Sequence, residues 1–502
     1  MPTPISMFEA LRDEFTRYYD TPFRLRSANL MTERRNLIDQ EGATWRQPWI
    51  EVMREYATTG DGLKRAVESV GGSPDLVEFI RCGLFQFDDL FIHQRDSLAS
   101  ILGNKNVVVS AGTGSGKTES FLLPVISALV EESRRWAPEP TRINPWWRGE
   151  GEFGPRRTTV NGRPHAIRTL ILYPMNALVE DQLVRLRRAL DSDAARKWLD
   201  DNRQGNRFFF GRYTGKTPVS GDPSNRNAVA KLQGQLKSIE ARSARVAGDD
   251  RRFYLPRLDG AEMVSRWDMQ AAAPDILITN YTMLNIMLLR LVENDIFDQT
   301  REWLKASEEN IFHVVVDELH MYRGTAGTEV AYLLRSLLSR LGLTPDSPQV
   351  RFLATSASLG SENESRKFLS EFFGAAASSF DLHSGSVVNV GSDCPDDLSA
   401  VVQPLVDAMT SAEDEQPATV AKVLLDARAR EVLWKATEGR TVALDDLGRR
   451  LFPQLNESTV PTNANMMSTL FDAIEKASSL ESFETPRVRS HLFFRNVQGV
   501  WA

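Results

Sequence analysis

The twelve residues Val107-Val108-Val109-Ser110-Ala111-Gly112-Thr113-Gly114-Ser115-Gly116-Lys117-Thr118 constrain this chain more than any other stretch. They read as a β-branched strand, a glycine-rich turn and the opening of an apolar helix. Without Cβ atoms, the glycines let backbone N–H groups curl around phosphate oxygens, and the helix N-terminus behind them adds a favourable dipole. In such a loop Thr113, Gly114, Ser115 and Gly116 form the cradle. Lys117 reaches the β- and γ-phosphates of ATP, and Thr118 ligates Mg²⁺ through its hydroxyl. The strict GxxxxGKS/T pattern would place glycine at 111, where this chain has alanine. A glycine-rich turn without a ligand is the competing explanation. The coincidence of strand, loop, Lys-Thr pair and helix counts against it.

A second strand ends in paired carboxylates, Val314-Val315-Val316-Asp317-Glu318-Leu319-His320. ATP hydrolysis needs one carboxylate near Mg²⁺ and another to orient or deprotonate water. Asp317 suits the first task and Glu318 the second; a solvated acidic turn is the alternative. Further apolar runs occur at Leu170–Leu172, Ile276–Ile278 and Phe352–Ala354, separated by helical stretches. Continuous apolar strands with intervening helices indicate a parallel sheet buried on both faces, with ligands at the carboxyl ends of its strands. Each motif directly follows one of these runs.

Around this α/β core the chain changes character. Residues 1–80 show apolar positions at helical spacing, broken at Pro22, Gly60 and Gly71-Gly72-Ser73-Pro74, and predict a helical N-terminal extension. Residues 361–502 predict a mostly helical accessory region. Two interruptions fall inside the core. Residues 134–168 carry eight arginines against three glutamates, with Trp136, Trp146 and Trp147 among them. Arginine neutralises phosphates and tryptophan stacks on bases, so this stretch fits nucleic-acid binding. It fits a protein interface equally well, and a disordered loop nearly so. Residues 216–257 are polar and helix-prone. Arg185, Arg187 and Arg188 lie on a helical pattern, where a solvated face is favoured over a DNA contact.

The formal net charge of −7 argues against a passive basic coat on nucleic acid, though not against a motor with few local contacts. No basic start and apolar run marks a signal peptide. The most apolar window, Phe121 to Val130, is too short to span a bilayer. Cys82 and Cys394 are the only cysteines and cannot by themselves build a zinc site. Cytoplasm, with no membrane association, is the expectation.

With both motifs in view, residues 90–360 resemble the first motor lobe of superfamily 2 DEAD/DEAH-box helicases, with Asp317-Glu318-Leu319-His320 as the box. Five further elements follow in the family's order. Gln94, 23 residues before Lys117, resembles the adenine-reading glutamine. Tyr173-Pro174-Met175-Asn176-Ala177-Leu178 with Gln182 resembles motif Ia, Tyr213-Thr214-Gly215 the small glycine motif, Pro274-Asp275-Ile276-Leu277-Ile278-Thr279-Asn280 motif Ib, and Thr355-Ser356-Ala357-Ser358 motif III. The resemblance implies a RecA-like sheet of the P-loop NTPase class and ATP and Mg²⁺ as cofactors. It implies nucleic-acid contacts at Pro174, Asn176, Thr214, Gly215, Thr279 and Asn280, with DNA preferred over RNA. It also implies coupling roles for His320, Ser356 and Ser358. A capped helix or a turn is the plain alternative for each contact residue, and simple packing for His320.

The string His320-Met321-Tyr322-Arg323-Gly324, the Asn176–Gln182 segment and the tail Arg489–Arg495 with Gly499–Ala502 further resemble large bacterial helicases of the mitomycin-repair and DISARM-like phage-defence type. No motif VI arginine is found. Gly448-Arg449-Arg450 lies in an amphipathic helical pattern and lacks the accompanying glutamine. The expectation is the ATP-binding lobe of a DNA helicase or translocase, its second RecA-like lobe lying in a missing C-terminal part or a partner chain. The rival is an ATP-gated assembly subunit that binds protein partners without translocating. A P-loop kinase or transporter ATPase is disfavoured by motifs Ia, Ib and III.

Overall fold

The computed structural model describes residues 3–495 apart from 22–24, 54, 86, 113, 139–142, 150–151, 158–162, 247, 389–390, 392, 414, 439, 456–461 and 481–482, and the backbone alone at 176–178. The chain forms two compact units, one of residues 56–386 and one that joins 1–55 to 387–502.

The larger unit is built on eight strands: β1 (Asn106–Ser110), β2 (Thr169–Tyr173), β3 (Phe210–Tyr213), β4 (Glu262–Met263), β5 (Ile276–Asn280), β6 (Phe312–Val316), β7 (Val350–Ser356) and β8 (Phe380–Ser384). Their order across the sheet is β4-β3-β5-β2-β6-β7-β1-β8, and every neighbouring pair is parallel. Parallel neighbours require crossover connections. Helix α1 (Ile92–Leu102) precedes β1, and α2 (Lys117–Glu132), α3 (Asn176–Asp191), α4 (Asp193–Arg203), α5 (Arg226–Arg245), α6 (Tyr281–Leu289), α7 (Asn294–Ala306) and α8 (Gly324–Leu341) lie between the strands in sequence. The five apolar runs seen in the sequence are β1, β2, β5, β6 and β7, and they occupy the sheet's interior.

The order β6-β7-β1 positions the site. The chain crosses from β1 to β2 before returning to fill the gap with β6 and β7, so the phosphate loop, the acidic pair and motif III emerge side by side. Register keeps their ends level: Val316 pairs with Ala354, and Ser110 with Ser356.

The unit reaches beyond the expected 81–360 at both ends. Leu63, Ala66, Val67, Leu76, Phe79 and Ile80, assigned in the sequence to a separate extension, are buried in its core. β8 closes the far edge of the sheet; its residues Phe380-Asp381-Leu382-His383-Ser384 alternate in polarity, as suits a half-buried edge strand, and lack the continuous apolar run that marks the interior strands.

The two insertions fold together. Trp147 packs with Val229, Leu232 and Leu236 of α5 and with Leu258, Val264 and Trp267 in a small core of their own. Trp147 Nε1 donates to Glu240 Oε2 at 3.2 Å, and Arg148 pairs with the same carboxylate at 2.6 Å. The arginines nearest β2 are buried. Arg163 and Arg168 reach Asp275 at 2.6 and 2.8 Å, and Arg168 also reaches Glu132 at 2.7 Å. The Trp136 ring lies under the Arg163 guanidinium, 3.3 Å from its centroid. Arg156 is buried too and donates to the carbonyls of Glu262 and Leu258. These side chains therefore hold the fold instead of presenting a nucleic-acid surface. Arg187 likewise is buried against Glu262.

The smaller unit adds a sheet to the helical extension and the mostly helical C-terminal region expected from the sequence. Helices Pro4–Asp20 and Ala28–Ile38 lead into a strand, Trp45–Val52. That strand lies between Val442–Ala443 and Val488–Phe494 in an antiparallel three-stranded sheet. Pro48 sits where the register shifts between Arg46 and Trp49; a proline cannot donate to a ladder and is tolerated at such an irregularity, which hid the strand. Five helices between Val402 and Ala477 cover the sheet's core. Arg449 lies on one of them, Leu444–Leu451, paired with Asp446 one turn away. Gly499 to Ala502 lie outside the described residues.

Candidate nucleotide site

Gly114 and Gly116 adopt φ of 78° and 70°, left-handed values that glycine takes without steric cost. They turn the chain off β1 into the N-terminus of α2, where Lys117 and Thr118 are the first two residues. Thr113 lies outside the described residues. Ser115 is buried, its hydroxyl donating to the Gly112 carbonyl at 2.8 Å.

Three side chains that precede the loop in sequence brace it. Gln94 donates through Nε2 to the Gly116 carbonyl at 3.1 Å and accepts from the Phe91 N–H at 3.0 Å. Both ends of its amide are thus engaged with backbone, and reading adenine would require it to exchange one of them. Tyr56, which carries no sequence signal, accepts from the Gly112 N–H at 2.8 Å through its hydroxyl. His93 stacks on Phe91, and its Nε2 lies 2.8 Å from the Ser115 carbonyl. Burial pushes its pKa down, so it is neutral near pH 7.

Opposite the loop stand the carboxylates. Lys117 Nζ is 3.4 Å from Glu318 Oε1. Asp317 is buried, and burial raises its pKa above the ordinary carboxylate range despite a hydrogen bond from Thr355 and the charge of Lys117. Thr355 thus touches Asp317 directly, a contact that the expected coupling residues Ser356 and Ser358 do not make. Ser356 is buried and donates to the Ser358 carbonyl at 2.7 Å, while Ser358 itself is exposed. The Ser356 carbonyl accepts from the Ala111 N–H at 3.1 Å, which ties motif III to the phosphate loop.

Glu318 sits at φ 52°, a left-handed conformation that costs a non-glycine residue roughly 1–3 kcal/mol and recurs at functional sites. Its Oε2 is buried without a well-directed hydrogen bond. His320 Nδ1 lies 3.3 Å from that oxygen and 3.4 Å from the Ala357 backbone nitrogen. A proton on Nδ1 serves Glu318 and a lone pair serves Ala357, so the two contacts alternate with the tautomer.

The site fits Mg²⁺ with a nucleoside triphosphate. It offers a hydroxyl at Thr118, a buried carboxylate without a cation in direct contact, a second carboxylate with an unfilled oxygen, and one ammonium. Thr118 Oγ1 meanwhile accepts from Gln182 Nε2 of α3 at 3.2 Å.

Among the expected nucleic-acid contacts, the structure brings Pro174, Gly215 and Asn280 to the strand ends beside this site, with Met175 exposed next to them. Thr214 is buried and accepts from the Lys216 N–H; Thr279 is buried and donates to the Tyr213 carbonyl at 2.7 Å. Asn280 caps α6, accepting from the Met283 N–H at 2.8 Å. The Asn176 side chain lies outside the described residues.

Residues 92–207, which hold Gln94, the phosphate loop and motif Ia, match the family model for the DEAD/DEAH box helicase. The chain carries a DEAD/DEAH box helicase domain. Asp317 and Glu318 lie beyond the matched span, directly after β6, which β7 separates from β1 in the sheet. Over 98% of its length the chain is 28% identical to the Druantia protein DruE of Escherichia coli, of which it covers 30%. It is 23% identical over 56% of its length to an uncharacterized ATP-dependent helicase, MJ1574, of Methanocaldococcus jannaschii, covering 27% of that protein. The chain therefore spans about a third or less of the length of these curated relatives. The DNA-bound crystal structure of the DUF1998 helicase MrfA shares 16% identity over 82% of this chain and 45% of its own, with a TM-score of 0.38, too low to carry an argument. Among the described residues no helix is long and apolar enough to cross a membrane.

Proposed function

We propose that this chain is the ATP-binding lobe of an ATP-dependent DNA helicase or translocase, acting in anti-phage defence or DNA repair. One observation carries the proposal: Lys117, Thr118, Asp317 and Glu318 converge from two strand ends onto one small region, within a chain that has a DEAD/DEAH box helicase domain. The likeness to the Druantia protein DruE and the resemblance to mitomycin-repair and phage-defence helicases support the pathway, and with it DNA as the nucleic acid.

Lys117 binds the β- and γ-phosphates and must leave Glu318 to do so, which frees that carboxylate. Glu318 then accepts the proton of the attacking water as the oxygen bonds to the γ-phosphorus and the bond to the β–γ bridging oxygen breaks. Mg²⁺, held through Thr118 and Asp317, supplies charge neutralisation on the phosphate oxygens. Thr355, Ser356 and His320 tie the acidic pair, motif III and the phosphate loop together, so a change at the γ-phosphate reaches several strand ends at once. Nucleic acid follows the face formed by Pro174, Asn176, Gly215 and Asn280.

The test is ATP hydrolysis by the complete protein with and without single-stranded DNA, beside Glu318→Gln. Stimulation by DNA, and a loss of turnover of roughly 10²–10⁴-fold with nucleotide binding retained, is the expected outcome. Turnover in Glu318→Gln equal to wild type removes Glu318 from the base role. Absence of any stimulation by nucleic acid favours an assembly subunit.

A further inference from the structure

Helix α5, in the second insertion, carries Arg226, Lys231, Lys237, Arg242 and Arg245 against one acid, Glu240. All five cations are exposed, and among the described residues none has a carboxylate partner. This contrasts with Arg163 and Arg168 of the other insertion, which are buried in ion pairs. The single acid is turned inward onto Trp147 and Arg148. Val229, Leu232 and Leu236 mark the buried side. At 3.6 residues per turn, the cations centre on the opposite side. Arg226 and Lys237 form one row, and Lys231 and Arg242 another; each pair is about 16 Å apart at 1.5 Å per residue.

Between the two rows lie the small exposed residues Ala230, Gly234, Ser238 and Ala241, with Asn227 in the first turn and the fifth cation, Arg245, in the last. A glycine inside a helix costs about 1 kcal/mol relative to alanine. Packing does not explain this one, since a Cβ on Gly234 would meet nothing within 4 Å. Arg226 occupies the first turn, against the helix dipole. A strip with flanking cations, a shallow floor and an unfavourably placed arginine is suited to an anionic rod lying along it.

We propose that the exposed face of α5 binds the sugar-phosphate backbone of duplex DNA. The face has no aromatic residue, whereas single-strand binders stack bases on aromatic rings. Contacts made by Lys and Arg alone to phosphates carry position and affinity without base readout, and suit a stiff duplex. The site is distinct from the strand ends that serve the motor, and it rests on the helicase reading only for the identity of the polymer. Its role is to hold the duplex while the motor acts on one strand.

The experiment compares the complete wild-type protein with a variant carrying Arg226→Gln, Lys231→Gln, Lys237→Gln, Arg242→Gln and Arg245→Gln. Binding is measured to a blunt DNA duplex and to oligo(dT) across a salt series. Duplex affinity is expected to fall by roughly tenfold or more, and the slope of log K against log salt to flatten by about 0.9 for each phosphate no longer neutralised. Oligo(dT) binding and ATP turnover at saturating oligo(dT) should stay at wild-type levels. Gly234→Glu is the second variant. It improves helix propensity and meets no steric obstacle, so a loss of duplex affinity in it cannot come from unfolding. Unchanged duplex affinity and salt slope in both variants overturn the proposal, as does an equal loss for duplex and oligo(dT). A wild-type protein that binds oligo(dT) but no duplex overturns it while leaving the helicase reading intact; one that binds neither overturns both.

Discussion

Replacing Asp275 by Asn tests whether the arginine-rich insertion is a structural part of the lobe. Asp275 is fully buried at the start of β5 and accepts from Arg163 at 2.6 Å, Arg168 at 2.8 Å and the Phe209 N–H at 2.8 Å. Burial alone would raise its pKa, but Arg163 and Arg168, and Arg157 beyond them, outweigh that and hold it below the usual carboxylate range. Asparagine has the same shape, so no cavity forms. Both guanidinium groups bond Oδ1, so if asparagine keeps its oxygen there its NH₂ group faces the Phe209 N–H, donor against donor, and in either orientation two buried cations lose an anion. Arg168 keeps Glu132; Arg163 keeps only the Arg207 carbonyl and the Trp136 ring. Breaking a buried pair in this way costs about 3–5 kcal/mol. For a unit of about 330 residues, with an unfolding entropy near 2 cal/mol/K per residue, that lowers the melting temperature by about 4–7 °C. Differential scanning calorimetry of Asp275→Asn beside Arg135→Ala makes the comparison. Arg135 pairs with Glu309 at the surface, and exposed pairs contribute about 0–1 kcal/mol. If the two variants melt alike, the buried network does not hold the insertion in place.

Three other outcomes are expected. Lys117→Ala should abolish measurable ATP binding in a fluorescent-nucleotide titration, because it removes the ammonium that grips the β- and γ-phosphates; wild-type affinity would show that the loop is not a nucleotide site. Thr355→Val removes the hydroxyl that favours ionised Asp317, so the half-saturating Mg²⁺ concentration of turnover should rise and the acid limb of the pH–rate profile should move to higher pH; an unmoved limb would separate Thr355 from Asp317. Burial lowers the pKa of His313 from 6.5 to about 4. Between those values the unfolded chain binds a proton that the folded chain does not, so stability falls as pH drops from about 6.5 to 4, by about 3 kcal/mol from this residue; His313→Asn should flatten that slope in denaturant melts.

The parts of this molecule that were legible in the sequence are those whose physics is local. Val107–Val109 and Val314–Val316 read as buried strands because both faces are covered, which makes every residue apolar. The glycines at 114 and 116 announce the left-handed turn before Lys117. What escaped depends on partners far away in sequence. Arg163 and Trp136 look like a surface for phosphates and bases until Asp275, more than a hundred residues on, supplies the charge that buries them. Tyr56 carries no motif, yet its hydroxyl meets Gly112, and Thr355 was noticed only as the first letter of a motif whose next residues seemed to matter more. Thr214 and Thr279 are contact residues by the family resemblance; in the structure the Thr214 hydroxyl accepts within a turn and the Thr279 hydroxyl bridges two strands.

The smaller unit has a history written into its sheet. Glu51 and His491, on paired strands, are 440 residues apart in the chain. At a synthesis rate of about 5–20 residues per second, the strand Trp45–Val52 waits roughly 20–90 s for its partner to be made. Throughout that interval its backbone donors and acceptors are available to any other nascent strand. Unit 56–386 can fold within the wait, which also brings the two halves of the smaller unit under a common tether before they meet. Assembly is thus ordered by the ribosome, residues 56–386 first and the split unit last, and the split unit is the part whose yield will depend most on chaperones and on growth temperature.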